Sequence, residues 1–285
     1  MLLLPLTSVH HRSKSQFLPM DRDVLEDQRW PPAPPDVAWA TIEREMPELV
    51  ITGNSTLYKV KGHAGMVYKS RGDLREYELQ KAAGDCAIPV RGRVMTKVFN
   101  GDIACMGFLM DLATPIIAPT GPAPPPALVL PPSQRRDIMY QMVSAVQRLH
   151  TKRVVHGDLK LENMLLDNQG KLRLCDFAEG RYVDEDESLW EGSSTWHYES
   201  PNRLLRGEQV GMDPAPPTTE DDLYGLGLSI WHLYTGKMPH EDLLGDDLGL
   251  KERQRNGETV DVAKVDDPEA REIIRGFLRL GGARI

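Results

Sequence analysis

The sequence predicts an α+β fold with a β-rich N-terminal part and a mainly helical C-terminal part. Short apolar runs separated by Asn- and Gly-containing turns fill residues 50–110, which is typical of strands and hairpins. The longest stretches with helical periodicity lie after residue 132. A chain of 285 residues is long for one domain and short for two, which suits a two-lobed unit.

The composition excludes several classes of function. The apolar fraction of 40% and the charged fraction of 27% are ordinary for a soluble globular protein. A formal net charge of −8 argues against nucleic acid as a partner. No apolar run approaches the roughly 20 residues of a membrane-spanning helix, so no membrane partner is expected. The cysteines show no CxxC spacing, which predicts a reduced, cytoplasmic protein without zinc or disulfides. No oligomeric state is predicted.

Proline content divides the chain. The run Trp30–Pro35 cannot form a helix or the interior of a sheet, so the residues up to it are expected to be disordered or, alternatively, a strap packed through Trp30. Eight prolines between residues 114 and 133 exclude a helix there. The predicted segments are a leader at 1–36, an N-terminal lobe at 37–112, a proline-rich hinge linker at 113–134 and a C-terminal lobe at 135–285.

The N-terminal lobe is predicted to hold strands and one helix. Strands between residues 50 and 70 end in Met66–Lys69, where alternation places Val67 and Lys69 on one face. Helix-forming residues then run to Ala83, with Asp73 as the predicted N-cap. A hairpin follows, from 94–99 and 103–110, closed at residues 100–101.

Three helices are predicted in the C-terminal lobe. Ser133 is the expected N-cap of an amphipathic helix that runs to His150. Residues 222–233 are apolar nearly all round, which indicates a buried helix. Beyond them a single helix is predicted at 268–280, with Asp267 as its N-cap.

The residues that carry chemistry lie between the first two of these helices. An apolar run enters at Val154, a polar loop spans 156–163, and two short apolar runs around a turn end at an acid, Asp176. The loop and this acid supply what phosphoryl transfer needs. One acid accepts the proton of the attacking hydroxyl, a cation steadies the moving phosphate, and an amide and a second acid hold Mg²⁺. These residues are Asp158, Lys160, Asn163 and Asp176.

A lone His-x-Asp means little, but the ordered set is specific. His156-Gly157-Asp158-Leu159-Lys160, with Asn163 and then Asp176-Phe177, resembles the catalytic loop and metal-binding signature of eukaryotic-type protein kinases. The resemblance covers residues 50–280 and implies a two-lobed protein-kinase-like fold, with a small β-rich N-terminal lobe and a helical C-terminal lobe that is abbreviated relative to a typical kinase. It also implies ATP and Mg²⁺ as cofactors. It implies Asp158 and Lys160 as catalytic residues and Asn163 and Asp176 as metal ligands.

The same resemblance assigns nucleotide-binding residues. It places Lys69 on the α and β phosphates, held by a glutamate of the following helix. Glu76 and Glu78 are both candidates, and Glu76 is preferred because Leu79 and Ala83 then complete an apolar stripe. The full expected set is Lys69, Glu76, Gly53 from the phosphate loop, and Met110, Asp111 and Ala113 from the hinge.

A substrate platform is also implied. Thr195, Tyr198 and Pro201 match the platform spacing of kinases, in which the threonine bonds the catalytic acid and lysine, here Asp158 and Lys160. Asp222 is expected to cap the backbone of the catalytic loop.

Four positions depart from the kinase pattern: Gly53 alone remains of the glycine-rich loop, Ala178 follows Asp176-Phe177, Asn202 follows Pro201, and Gly157 replaces an arginine. In regulated kinases this arginine pairs with a phosphate on the activation segment, the segment that here carries Ser188, Ser193, Ser194 and Thr195. Without the arginine, such a phosphate has no partner. The acidic run 184–187 would also repel it. We therefore predict activity that does not require phosphorylation of Ser188, Ser193, Ser194 or Thr195.

Three functions remain open at this point. The first is an ATP-dependent Ser/Thr protein kinase, since every phosphate- and metal-handling side chain is present. The second is a small-molecule kinase, because His-Gly-Asp with an Asn five residues later also occurs in metabolite phosphotransferases. The third is a pseudokinase that serves as an interaction scaffold, which the eroded glycine loop permits. Lys160 and the Thr195 platform favour a protein hydroxyl as the substrate.

Overall fold

The computed structural model describes residues 36–38, 42–51, 55–97, 102–117, 130–190, 192–212 and 214–285. The predicted leader up to Pro35, the turn at residues 100–101, Gly53 and most of the proline-rich linker lie outside the described residues. Among the residues that are described, no helix is long and apolar enough to cross a membrane.

The N-terminal part is a six-stranded sheet with one helix against it. The central strands place the lysine predicted to bind phosphate: Lys69 pairs with Phe108 across two antiparallel strands, and Val67 pairs with Met110. The strands are β1 (Val37–Ala38), β2 (Arg44–Ile51), β3 (Thr56–Val60), β4 (His63–Ser70), β5 (Val90–Lys97) and β6 (Ile103–Asp111). Within the sheet they lie in the order β1-β5-β6-β4-β3-β2.

Helix α1 (Leu74–Ala83) begins at the predicted cap, where the Asp73 carboxylate accepts a hydrogen bond from the Glu76 amide at 2.6 Å. Tyr77 and Leu79 are both buried but lie in different core clusters, Tyr77 with Phe108 and Leu79 with Phe177, so the helix is packed on two sides. Glu76 is also buried, which raises the pKa of its carboxyl to about 7, and its partner Lys69 lies on β4.

The C-terminal part is mainly helical, as the sequence predicts. It contains α2 (Pro132–Thr151), α3 (Pro201–Val210), α4 (Thr219–Thr235), α5 (Asp247–Arg255) and α6 (Pro268–Leu280). Nearly every residue of α4 from Asp221 to Tyr234 is buried, which confirms the predicted central helix. Small strands connect the helices: β7 (Thr114–Pro115), β8 (Val154–Val155), β9 (Met164–Leu166), β10 (Leu172–Leu174) and β11 (Arg181–Tyr182).

Helix α3 is not among the predicted helices, and two further points of the helix predictions need correction. Helix α2 starts at Pro132, with Pro131 in the cap position, rather than at a Ser133 cap. Proline suits the first turn because an N–H at this position would have no acceptor within the helix, and because the φ of proline is already close to the helical value. The tail holds a further helix, α5, in which only Leu250 and Gln254 are buried. So sparse a buried face leaves no apolar periodicity to detect.

Candidate active site

The polar loop 156–163 is held by strands at both ends. Val154–Val155 pairs with β11, and Met164–Leu166 pairs with β10. Helix α4 also fixes the loop. Its buried Asp222 carboxylate accepts hydrogen bonds from the backbone N–H groups of His156 at 2.8 Å and Gly157 at 2.9 Å. The predicted role of Asp222 as a cap of this loop is therefore confirmed.

Three predicted catalytic residues meet at the mouth of the loop. The ammonium of Lys160 lies 2.6 Å from a carboxylate oxygen of Asp158 and donates to the hydroxyl of Thr195 at 2.8 Å. The amide nitrogen of Asn163 donates to the backbone carbonyl of Asp158 at 2.9 Å. Burial opposes the charged form of Lys160, but the carboxylate of Asp158 outweighs it and raises its pKa above the ordinary value. Lys160 is thus a fixed cation beside Asp158.

A second cluster joins the sheet, α1 and the segment after β10. The ammonium of Lys69 contacts the carboxylates of Glu76 and, at 2.7 Å, Asp176. Burial disfavours the charge on Lys69, yet the two acids raise its pKa. Burial would raise the pKa of Asp176, but Lys69 outweighs it and lowers that pKa. Both groups are therefore ionised at neutral pH, and Asp176 can accept a cation.

The structure distinguishes the two glutamates of α1. Glu76 is 2% exposed and reaches Lys69, whereas Glu78 is half-exposed and lies 3.8 Å from Lys81. The predicted pairing of Lys69 with Glu76 is therefore present in the structure.

The predicted hinge residues lie at the end of β6. Met110 is buried beside Val67, and Ala113 packs against the same cluster. Asp111 makes a two-pronged ion pair with Arg91, both contacts at 2.6 Å. The carboxylate of Asp111 is thus engaged by Arg91, so any contact with a nucleotide would be left to its backbone.

The backbone at Asp176 is unusual. Its φ of 65° is in the left-handed region, which a non-glycine residue adopts only when its surroundings impose it. The imidazole of His156 supplies part of that constraint, since its Nε2 lies 2.9 Å from the carbonyl of Cys175 and its ring lies 4.6 Å from that of Phe177. The catalytic loop therefore fixes the position of the acid predicted to bind metal.

The chemistry of the donor set fits Mg²⁺. A carboxylate on Asp176 and an amide on Asn163 offer the hard oxygen ligands that this ion prefers. Within the described ranges, no cluster of three or more His, Cys, Asp and Glu side chains could hold a metal ion alone.

Ion pairs that the sequence analysis did not predict anchor the segment after β11. Arg75 of α1 makes a two-pronged pair with Glu185, at 2.5 and 2.6 Å, and also donates to the carbonyl of Gly180. Arg153 pairs with Asp184, and Arg181 lies 3.3 Å from Glu187. The sequence predicts that the acidic run 184–187 repels a phosphate, but three of its carboxylates are paired with arginines in the structure. Two of these arginines, Arg75 and Arg153, are remote in sequence, so nothing in the run itself indicates them.

Comparison with known proteins identifies one family, the protein kinases. Residues 125–280 match a family model described as protein kinase domain. A probable serine/threonine-protein kinase KIN1 homolog from Enterocytozoon bieneusi is 28% identical over 53% of this chain and 24% of its own length. Testis-specific serine/threonine-protein kinase 5 from Mus musculus is 32% identical over 52% of this chain and 37% of its own length.

A bacterial relative matches as well. Serine/threonine-protein kinase PrkC from Bacillus subtilis is 29% identical over 44% of this chain. The chain covers 24%, 37% and 18% of the lengths of these three relatives.

The loop scaffold is testable by replacing Asp222. Asp222→Ala leaves two buried amides without an acceptor, so we expect the free energy of unfolding to fall by about 2–5 kcal/mol. Chemical denaturation measures this. Glu220→Ala, an exposed change on the same helix, is the matched control and should shift it by less than about 0.5 kcal/mol. Equal effects of the two changes would contradict the assigned role.

Proposed function

The chain belongs to the protein kinase family, and we propose that it transfers the γ-phosphoryl group of ATP to a serine or threonine hydroxyl of a protein. The observation that carries the proposal is the contact of Lys160 with both Asp158 and Thr195. It places a base, a cation and the substrate platform within one hydrogen-bonded group. Phosphoryl transfer asks for this positioning and charge rather than for covalent chemistry.

Each residue of the group has a proposed role. Asp158 accepts the proton of the attacking hydroxyl, because a carboxylate held at hydrogen-bond distance is a suitable general base. Lys160 neutralises charge that develops on the transferred phosphoryl group. Thr195 accepts a hydrogen bond from Lys160 and so fixes the position of the substrate platform relative to Lys160. A peptide hydroxyl bound on the platform would then lie next to Asp158.

The second cluster is proposed to bind the nucleotide. Lys69 would hold the α and β phosphates, with Glu76 orienting its ammonium, and Met110, Asp111 and Ala113 would line the adenine side. Asn163 and Asp176 would hold Mg²⁺, which when bound neutralises phosphate charge. Gly53 remains a proposed phosphate-loop residue. We keep the proposed divisions after residues 36, 112 and 134, and the contact of Lys69 with Asp176 then joins the N-terminal lobe to the C-terminal lobe.

A protein substrate is favoured over a metabolite by one observation. Thr195 comes from the segment that leads into α3, and its bond to Lys160 ties that segment to the catalytic loop. A small molecule enclosed near the hinge would not use this surface.

Cys86, Cys105 and Cys175 are free thiols, which supports the proposed reducing, cytoplasmic location.

The proposed base is tested by Asp158→Asn. The variant should bind ATP as the wild type does, while kcat falls about 10²-fold or more because proton acceptance is lost. Steady-state kinetics with a protein substrate, together with a nucleotide-binding titration, separate the two effects. Asp246→Asn is the control, since asparagine still caps α5. Wild-type turnover in Asp158→Asn would remove this residue from the role.

The ion pairs of the activation segment bear on regulation. Arg75 precedes Glu76 on α1, so its pair with Glu185 anchors the turn that presents Glu76 to Lys69. Partial burial opposes ionisation of Glu185, but Arg75 outweighs it and lowers the pKa of the carboxyl. A permanent carboxylate thus occupies the guanidinium that a phosphate would otherwise need.

We therefore expect activity without phosphorylation of Ser188, Ser193, Ser194 or Thr195. Phosphatase treatment, checked by mass spectrometry, should leave kcat within about twofold, whereas Glu185→Gln should lower it several-fold by loss of a charge-assisted pair. Asp184→Asn, in an exposed pair with Arg153, is the control with little effect. A tenfold loss of kcat on dephosphorylation would contradict the prediction.

A further inference from the structure

Arg203 is a buried arginine outside both clusters described above. It lies on the first turn of α3 and is 3% exposed. Its guanidinium donates to three backbone carbonyls: Ala215 at 2.7 Å, Gly157 at 3.1 Å and Ser193 at 3.4 Å. The carbonyls belong to three separate segments, so one planar group joins them.

Two of these carbonyls flank the residues proposed for catalysis. Gly157 immediately precedes Asp158, and Ser193 lies two residues before Thr195. Lys160 connects Asp158 to Thr195 through side chains. Arg203 connects the same two segments through their backbones, which sets their spacing independently of Lys160.

The environment of Arg203 suits a permanent cation. Burial lowers the pKa of the guanidinium, while the charges of Glu199 and Asp221 act in the opposite direction. The indole ring of Trp190 lies 5.3 Å from its central carbon, a distance that permits a cation–π contact. Arginine remains protonated in such sites, and its rigid fork of five donors reaches carbonyls in several directions. A lysine carries one compact ammonium and lacks this reach.

The catalytic loop has no room for a side chain of its own at residue 157. Gly157 has a φ of 81°, and a Cβ there would lie 2.1 Å from the carbonyl oxygen of Glu179. A side chain that holds the loop at this position therefore comes from another element: Arg203 of α3 donates to the carbonyl of Gly157 at 3.1 Å.

We propose that Arg203 is a positioning residue that fixes Asp158 relative to Thr195 and couples the activation segment to the catalytic loop. The proposal rests on the proposed phosphotransfer. Because Arg203 touches none of the residues proposed to bind nucleotide, its loss should affect the chemical step and leave nucleotide affinity unchanged.

The test uses Arg203→Lys, which keeps the charge and loses the fork, and Arg203→Met, which keeps the approximate length and loses the charge. With a protein substrate, kcat should fall about 10–100-fold in both, as expected for a misplaced catalytic group, while the KM for ATP changes less than twofold. Arg206→Lys is the matched control, because Arg206 lies on the same helix but contacts Pro216 and Asp221 instead. It should retain wild-type kcat.

Hydrogen exchange provides a readout that needs no activity. Amides of residues 155–163 and 192–198 should exchange faster in Arg203→Lys and not in Arg206→Lys. Wild-type kcat and exchange in Arg203→Lys would overturn the proposal, as would a kcat loss that only follows the folded fraction seen by circular dichroism. An inactive wild-type chain with the expected exchange difference would instead remove the proposed function and support the coupling by Arg203.

Discussion

The ammonium of Lys69 is the group on which the arrangement of this protein most depends. It is 5% exposed and is compensated by Glu76 from α1 and Asp176 from the segment after β10. A buried ion that loses its partner costs roughly 3–5 kcal/mol, so the sheet, the helix and the segment are each stable in place only when the others are. The nucleotide-binding role that we propose uses this same charge, which explains why so costly a group is buried there.

The catalytic loop is built on a different principle. Its backbone amides at His156 and Gly157 donate to Asp222 of the buried helix α4, and its carbonyl at Gly157 accepts from Arg203 of α3. The backbone that carries Asp158 is therefore held by side chains of α3 and α4. The two principles meet at Asp176, whose left-handed backbone is held by the loop while its carboxylate belongs to the Lys69 cluster.

Local patterns predicted much of this correctly. The cap of α1 at Asp73 and the apolar α4 are properties of short stretches, whereas the two-lobed fold class follows from the kinase resemblance that Asp158, Lys160 and Asn163 carry. The stripe through Leu79 and Ala83 also selected the glutamate that pairs with Lys69. What sequence alone did not indicate depends on distant partners: Arg75 and Glu185 are 110 positions apart, and a buried arginine on α3 has no local signal. Helix α5 was missed because it buries too little to be periodic.

We propose that the Lys69 and Asp158 clusters together transfer phosphate from ATP to protein hydroxyls. The most direct measurement incubates the purified chain with radiolabelled ATP, Mg²⁺ and a mixed extract of proteins and metabolites, and locates the label by mass spectrometry. We expect label on serine and threonine of proteins, lost in folded Lys69→Met and Asp176→Ala chains and retained in Lys81→Met, a change at a partly exposed lysine of α1. Label confined to small molecules, or no label with no thermal shift by ATP and Mg²⁺, would contradict the account.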